Sequence, residues 1–184
     1  PYDVVKLDNV TAGRLATEHL IGLGHRRIAV TTGRPNIVTG EDRMRGYFAA
    51  HAAHDIPVEQ RLLIEGRFDQ AIAHESTLRL LSQPDPPTAI FALSNMMALG
   101  VLNAVQEVGL KVPADISVVG IDDFDFANIM SPPPTVVAAP VEQMAQRAID
   151  KLLAEIRSKA APSGDVELFE PRLIVRASSS RPVR

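Results

Sequence analysis

The stretch that decides the fold is "DISVVGIDD", Asp115–Asp123, where a continuous apolar run ends in Asp122 and Asp123, with Asp125 close behind. A short run without polar alternation is typical of a strand that is buried on both faces of a parallel sheet. The carboxylates then follow the carboxyl end of that strand, where open parallel sheets bind ligands. The stretch therefore predicts both a sheet and a site at its edge.

The rest of the chain repeats the same unit of strand and helix. Strand-like segments lie near residues 4–8, 27–33, 61–66 and 86–93, and helical patterns cover 42–53, 69–81, 96–108 and 141–158. Asn9 or Thr11 is suited to cap a helix between the first two strands. Two further strand candidates are broken at Pro171, and the tail is polar. This alternation predicts an α/β fold with a doubly wound parallel sheet.

Composition excludes several classes of function. The chain has 184 residues and no cysteine, and its 46% of hydrophobic residues suits a packed core. The net charge of −3 comes without a basic block, so the chain has no nucleic-acid surface of its own. No apolar run is long enough to span a membrane, and we expect a soluble cytoplasmic protein. The chain begins at Pro1 without a methionine, and we expect it to be part of a longer protein.

Several chemistries for the strand-end carboxylates fit the sequence poorly. A phosphoacceptor site needs acids from two strands and a nearby lysine, and neither follows from the pattern. His51 and His54 have a helical spacing, but we expect them to be solvated near a helix end rather than to hold a metal. No nucleophile elbow and no phosphate loop occurs. We therefore predict no catalytic residue, no metal and no cofactor.

Recognition of hydroxyl groups remains. A carboxylate accepts hydrogen bonds from adjacent hydroxyls, an arginine fork donates two, an asparagine does both, and an aromatic ring covers an apolar sugar face. Asp122, Arg43, Asn95 and Phe68 provide this set at one edge of the predicted sheet. Charge balance also predicts that Arg43 pairs with Asp122. Asp123 is expected to cap a short helix or to stay solvated.

Four segments together resemble the effector-binding core of the lactose/galactose-repressor (LacI/GalR) family of bacterial transcriptional regulators. They are "VKLDNVTAGRLATEHLIGLGHRRIAVTTG", "DRMRGYFAA", "AIFALSNMMALGVLNAVQEVGLKVPADISVVGIDD" and "PPPTVV". The resemblance runs from about residue 4 to 178. It implies a periplasmic-binding-protein-like type I lobe with part of a second lobe, and a helix-turn-helix DNA-binding head that is absent from this chain.

The resemblance also implies a division of the chain. Residues 10–133 form the C-terminal lobe, 1–9 and 134–160 belong to the N-terminal lobe and crossover, and 161–184 are returning strands and tail. Because parts of the first lobe are missing, we expect Leu7, Met144 and Ile156 to be exposed or covered by a second copy. The family's effector residues fall on Arg43, Asn95, Asp122 and Phe68, and more loosely on Thr39.

By this resemblance the chain is a sensor without catalytic activity. It binds a sugar or a similar metabolite between two lobes, contacts operator DNA only through the missing head, and forms a homodimer. The runner-up is a periplasmic sugar-binding protein, and an enzyme is the alternative of a different class. Three positions depart from the family pattern, namely Met96, Ala139 and Ala145. The first two remove polar groups near the cleft and leave the identity of the effector open.

Overall fold

The computed structural model describes residues 2–124, 127–158 and 163–183, so Asp125 lies outside the described residues. Strands in the described part are β1 (Val4–Leu7), β2 (Ile28–Thr32), β3 (Leu63–Glu65), β4 (Ala89–Ala92), β5 (Ser117–Ile121), β6 (Thr135–Ala138), β7 (Val166–Phe169) and β8 (Arg172–Ile174). The helices there are α1 (Asn9–Gly22), α2 (Val38–Ala53), α3 (Gln70–Leu81), α4 (Asn95–Glu107) and α5 (Val141–Ser158).

The larger sheet has the strand order β3-β2-β4-β5-β6-β8. Its first five strands are parallel, and β8 runs antiparallel to β6. After β3 the chain returns to the other side of β2, so the strand order reverses between β2 and β4. Such a reversal opens a crevice at the carboxyl ends of the strands, where doubly wound folds bind ligands. The predicted fold class is therefore confirmed, and the site at this edge stays a prediction.

Two helix pairs cover this sheet, α1 with α2 and α3 with α4. The first pair crosses at two glycines. A Cβ on Gly13 would lie 2.0 Å from the Arg43 carbonyl oxygen, and one on Gly46 would lie 2.1 Å from the Val10 carbonyl oxygen. Because neither glycine has a side chain, the backbones of α1 and α2 touch. This contact fixes the height of Arg43 above the sheet.

Helix starts differ from the predicted ones. Asp8, and not Asn9 or Thr11, caps α1, because its carboxylate accepts from both the backbone N–H and the hydroxyl of Thr11 at 2.9 and 2.8 Å. Ser94 caps α4 through a hydrogen bond from the Met97 N–H. Helix α2 begins at Val38 rather than near residue 42, and its start has no side-chain cap.

A second, two-stranded sheet consists of β1 and β7 in parallel, with α5 beside β1. Leu7 at the end of β1 is buried within this chain, so the expectation of its exposure was wrong. Met144 is partly buried, whereas Ile156 on α5 is 63% exposed, as expected. Thr135–Ala138, grouped with the first lobe by the sequence, pairs with β5 in the larger sheet. The division into lobes stays a prediction.

Two polar regions are more buried than the sequence indicated. His51 is not solvated, because its ring packs on Tyr47 with 4.2 Å between centroids and Nδ1 donates to the Tyr47 carbonyl. His54 is exposed, as expected. The tail residue Ser178 is fully buried, and its hydroxyl donates to the Val118 carbonyl and accepts from the Thr135 N–H. One residue of the polar tail is therefore part of the core.

Candidate functional site: a cleft at the strand ends

Arg43 is the best-anchored group at the strand ends. Its side chain is only 10% exposed, although it carries a charge. Nε donates to the Asn9 Oδ1 over 2.8 Å, and Nη1 donates to the Leu93 carbonyl at the end of β4. Burial lowers the pKa of the Arg43 guanidinium, and the charge of Asp122 opposes that shift. The arginine is thus held by the start of α1 and the end of β4.

Asp122 faces Arg43 across the cleft, as the sequence predicted. The Arg43 Nη2 lies 3.9 Å from the Asp122 Oδ2, and the Asp122 side chain is 41% exposed. Its backbone has φ +68°, a left-handed conformation that non-glycine residues seldom adopt, and its N–H donates to the Val137 carbonyl. Burial raises the pKa of the Asp122 carboxyl, and Arg43 opposes the rise. The edge therefore presents a partly exposed carboxylate beside a buried arginine.

Phe68 lies at the end of β3 and is half-buried. Its ring rests on two glycines, since a Cβ at Gly33 would come within 2.7 Å of the ring and one at Gly40 within 3.0 Å. Phe68 itself has φ +56° and follows Arg67 with φ +51°. Two successive left-handed residues cost free energy, and such backbone strain gathers at ligand sites. The glycine pair thus gives the aromatic ring its place beside the start of α2.

Asn95 and Thr39 lie at the starts of helices at the same edge of the sheet and make fewer hydrogen bonds than Arg43. Asn95 is the first residue of α4, two positions after Leu93, and its Oδ1 accepts from the Met96 N–H over 2.7 Å. Thr39 is exposed in the first turn of α2. Met96 is 45% exposed beside Asn95, while Ala139 after β6 is partly buried. The edge therefore combines polar and apolar surface.

Asp123 has a charged partner that the sequence did not suggest. Its carboxylate forms a two-pronged ion pair with Arg176, with distances of 2.9 and 2.8 Å to the two Nη atoms. This hydrogen bonding lowers the pKa of Asp123. Asp123 is exposed, which agrees with the expected solvated carboxylate, but its pair with Arg176 was not predicted. No short motif marks Arg176, because the pair joins residues 53 positions apart.

Asn9 was missed as a site residue because it looked like a helix cap. It is 5% exposed, and it connects the Leu7 carbonyl, to which Nδ2 donates, with Arg43. The sequence did contain a signal. Asp8 and Asn9 are both residues that cap helices, and because one cap is enough, the other was available for a different contact. The Leu93 carbonyl carries no signal of its own, because any residue has a carbonyl.

Arg43 and Asp122 can donate and accept hydrogen bonds side by side, while Asn95 and Phe68 follow the ends of β4 and β3 at the same edge of the sheet. That set suits a ligand with several hydroxyl groups. Within residues 2–124, 127–158 and 163–183, no group of three or more His, Asp or Glu is placed to hold a metal. No helix in the same residues is both long and apolar enough to cross a membrane. Fold and cleft together define a binding domain of the parallel α/β class.

Comparison with known proteins agrees with this class. A model of the periplasmic binding protein-like domain matches residues 17–179. The repressor PurR of Aliivibrio fischeri (strain MJ11) is 36% identical over 168 residues, which are 90% of this chain and 50% of that protein. The chain spans about half the length of the curated relatives it matches.

Solved structures give the same result. The regulator CelR in complex with cellobiose has a TM-score of 0.89 and 33% identity, over 96% of this chain and 54% of that one. A LacI-family regulator from Enterococcus faecium with bound ribose has a TM-score of 0.89 and 27% identity, over 97% and 66%. A LacI regulator from a Rhodococcus species has a TM-score of 0.86 and 32% identity, over 98% and 70%.

The chain belongs to the family of periplasmic binding protein-like domains, in the form found in LacI-family transcriptional regulators.

Proposed function

We propose that this chain is the effector-sensing part of a bacterial transcriptional regulator. Its ligand is a sugar or a sugar-like metabolite, bound at the cleft of Arg43, Asp122, Asn95 and Phe68, with Thr39 at the rim. The observation that carries the proposal is the Arg43–Asp122 pair at the carboxyl ends of the parallel strands, with 3.9 Å between Nη2 and Oδ2. An arginine buried so deeply, beside an open carboxylate, suits recognition of a hydroxylated ligand.

The remaining parts of the proposal concern the whole regulator. Binding closes the cleft against a first lobe, to which β1, β7 and α5 belong, and changes the affinity of a DNA-binding head for its operator. The regulator acts as a homodimer in the cytoplasm and does not catalyse a reaction. The relatives compared above are named as regulators, two of them with a bound sugar, which favours this role over a periplasmic sugar-binding protein.

A thermal-shift screen tests the proposal. The chain and its full-length parent are melted with cellobiose, ribose, other mono- and disaccharides, sugar phosphates and nucleobases. A ligand at about 100 times its Kd adds about 2.7 kcal/mol to the free energy of unfolding. For a chain of this size we expect the melting temperature to rise by about 5–11 °C. A shift of the parent alone means that the first lobe is needed to complete the site.

Asp122→Asn decides whether the shift comes from the cleft. The substitution keeps the shape of the side chain and removes the charged acceptor, whose hydrogen bonds are worth about 1.5–3 kcal/mol. We expect the affinity for the hit to fall about 10–100-fold. Asp123→Asn is the matched control, because its carboxylate pairs with Arg176 and not with Arg43. Equal losses in both variants would contradict the proposed site.

Turnover separates the sensor from an enzyme. The hit is incubated with the parent protein, and the mixture is then separated by chromatography. We expect the ligand to be recovered unchanged. A product that disappears with Asp122→Asn would identify the chain as an enzyme instead.

A further inference from the structure

The Arg43–Asp122 pair is open although both groups are charged. A charge-assisted hydrogen bond between a guanidinium and a carboxylate is about 2.7–2.9 Å long. The distance here is 3.9 Å. In a partly buried cleft the attraction between opposite charges is stronger than in water, so the pair should close unless other contacts prevent it.

Contacts on the far side of the arginine prevent that closure. The guanidinium is planar and rigid, so fixing two of its nitrogens fixes the third. Nε is fixed by the Asn9 Oδ1 at 2.8 Å and Nη1 by the Leu93 carbonyl. Nη2 faces Asp122 and cannot approach it more closely, so its distance from Oδ2 stays at 3.9 Å.

Asn9 can restrain Arg43 because it is itself fixed. Its Nδ2 donates to the Leu7 carbonyl over 3.1 Å, and its side chain is buried with the residue 5% exposed. Leu7 is the last residue of β1, in the smaller sheet, while α1 packs on the larger sheet. Asn9 therefore stands where the chain passes from one sheet to the other.

Asp122 is restrained as well. Its N–H donates to the Val137 carbonyl over 2.9 Å, and the left-handed backbone fixes the direction in which the side chain leaves. The backbone and the Cα–Cβ direction of Asp122 are therefore fixed, and its carboxylate can turn only about its side-chain torsions. On the other side of the pair, Asn9 is the side chain that holds the guanidinium.

We propose that Asn9 is a positioning residue that keeps the Arg43–Asp122 pair open, so that a hydroxyl of the ligand can accept from the arginine and donate to the carboxylate. The role in ligand binding rests on the proposed function, but the contacts of Asn9, Arg43 and Asp122 do not depend on which effector is bound. Burial raises the pKa of Asp122, and the charge of Arg43 opposes that rise without reversing it.

Titration of Asp122 by NMR tests the proposal without any ligand. In Asn9→Ala the Nε of Arg43 loses its acceptor, and the guanidinium turns towards Asp122. A direct contact stabilises the carboxylate, so we expect the pKa of Asp122 to fall by about 1 pH unit relative to the wild type. Thr11→Val is the matched control, because it removes a hydrogen bond in the same turn without a contact to Arg43. We expect that variant to leave the Asp122 titration unchanged.

A second measurement uses the wild-type chain and covers the case in which Asn9→Ala does not fold. The Arg43 Nε–H should give a resolved NMR signal whose exchange with water is slow, because it is buried and bonded to Asn9. An unchanged or higher pKa of Asp122 in Asn9→Ala, or a freely exchanging Nε–H in the wild type, would overturn the proposal. A failed effector screen would leave both readouts intact, so the two proposals fail separately.

Discussion

His25 is a buried histidine whose two ring nitrogens both have partners. The residue is 1% exposed, Nδ1 lies 2.9 Å from the Thr88 hydroxyl, and Nε2 lies 2.9 Å from the Ser180 carbonyl. Since a carbonyl only accepts, Nε2 carries the proton and donates to it. Burial lowers the pKa of His25, and the hydrogen bond to Ser180 opposes the shift. The neutral ring thus connects the residues just before β2 with the segment around Ser180.

We expect stability to fall as the pH drops below about 6.5, the ordinary histidine pKa. Below that pH His25 becomes protonated in the unfolded chain but stays neutral in the folded chain. This difference ends only when the pH falls below the lowered pKa of the folded state. The loss per histidine is at most about 1.4 kcal/mol per pH unit. His19 and His51 also have pKa values lowered by burial, so they add in the same direction. Urea unfolding at pH 7.5 and 5.5 checks this.

His25→Gln is the variant that assigns part of the effect. Its unfolding free energy should depend less on pH between 7.5 and 5.5 than that of the wild type, even if the variant is less stable at both. Equal urea midpoints of the wild type at the two pH values would show that the buried histidines do not control acid stability.

The pairing of Arg43 with Asp122 could be predicted from their residue types, because opposite charges at one edge of a sheet attract each other. Asn9 could not be assigned in the same way. Its side chain suits a helix cap as well as it suits an arginine partner, and only the three-dimensional position of Asp8 decides between the two. A hydrogen bond between residues 34 positions apart leaves no local pattern in the sequence.

At the scale of elements, the crossing of α1 and α2 gives a sharp prediction. A Cβ on Gly46 would overlap the Val10 carbonyl oxygen at 2.1 Å and the Arg14 nitrogen at 2.5 Å. Gly46→Ala must push the two helices apart, and we expect a loss of about 1–3 kcal/mol or more in unfolding free energy. The same shift moves Arg43, so ligand affinity should fall too. Thermal and urea unfolding measure the first effect.

Gly22→Ala is the matched control, because it makes the same substitution in α1 where a Cβ would meet no atom within 4 Å. An alanine there should be neutral or stabilise the helix by about 0.5–1 kcal/mol. If the Gly46→Ala variant were as stable as the Gly22→Ala variant, the close contact between the α1 and α2 backbones would be contradicted.

Element boundaries could be predicted where the sequence contains a strong signal. Helix α5 spans Val141–Ser158, as its apolar spacing predicted. Helix α2 starts four residues earlier than predicted, since the residue before it, Ile37, provides no side-chain cap that a sequence could reveal. The order of the strands in the sheet also lies beyond any local pattern, because pairing joins distant segments.

At the scale of the whole molecule, the segment around Ser178 closes the larger sheet. Ser178→Ala would leave the Thr135 N–H without its acceptor in a buried position. An unsatisfied buried donor costs about 1–3 kcal/mol, and we expect that loss in urea unfolding. Ser82→Ala serves as control, because the Ser82 hydroxyl is exposed and bonds only within its own helix end. We expect the control to change stability by at most about 0.5 kcal/mol.

The same segment sets an order of events during synthesis. Val118 is made 60 residues before Ser178, whose hydroxyl and carbonyl bind its two backbone groups. At about 5–20 residues per second, a ribosome needs roughly 3–12 s to cover that interval. Until then the start of β5 offers free peptide groups, to which a strand of another nascent chain can pair. Ser178 therefore covers peptide groups of β5 that stay unpaired until the ribosome has added those 60 residues.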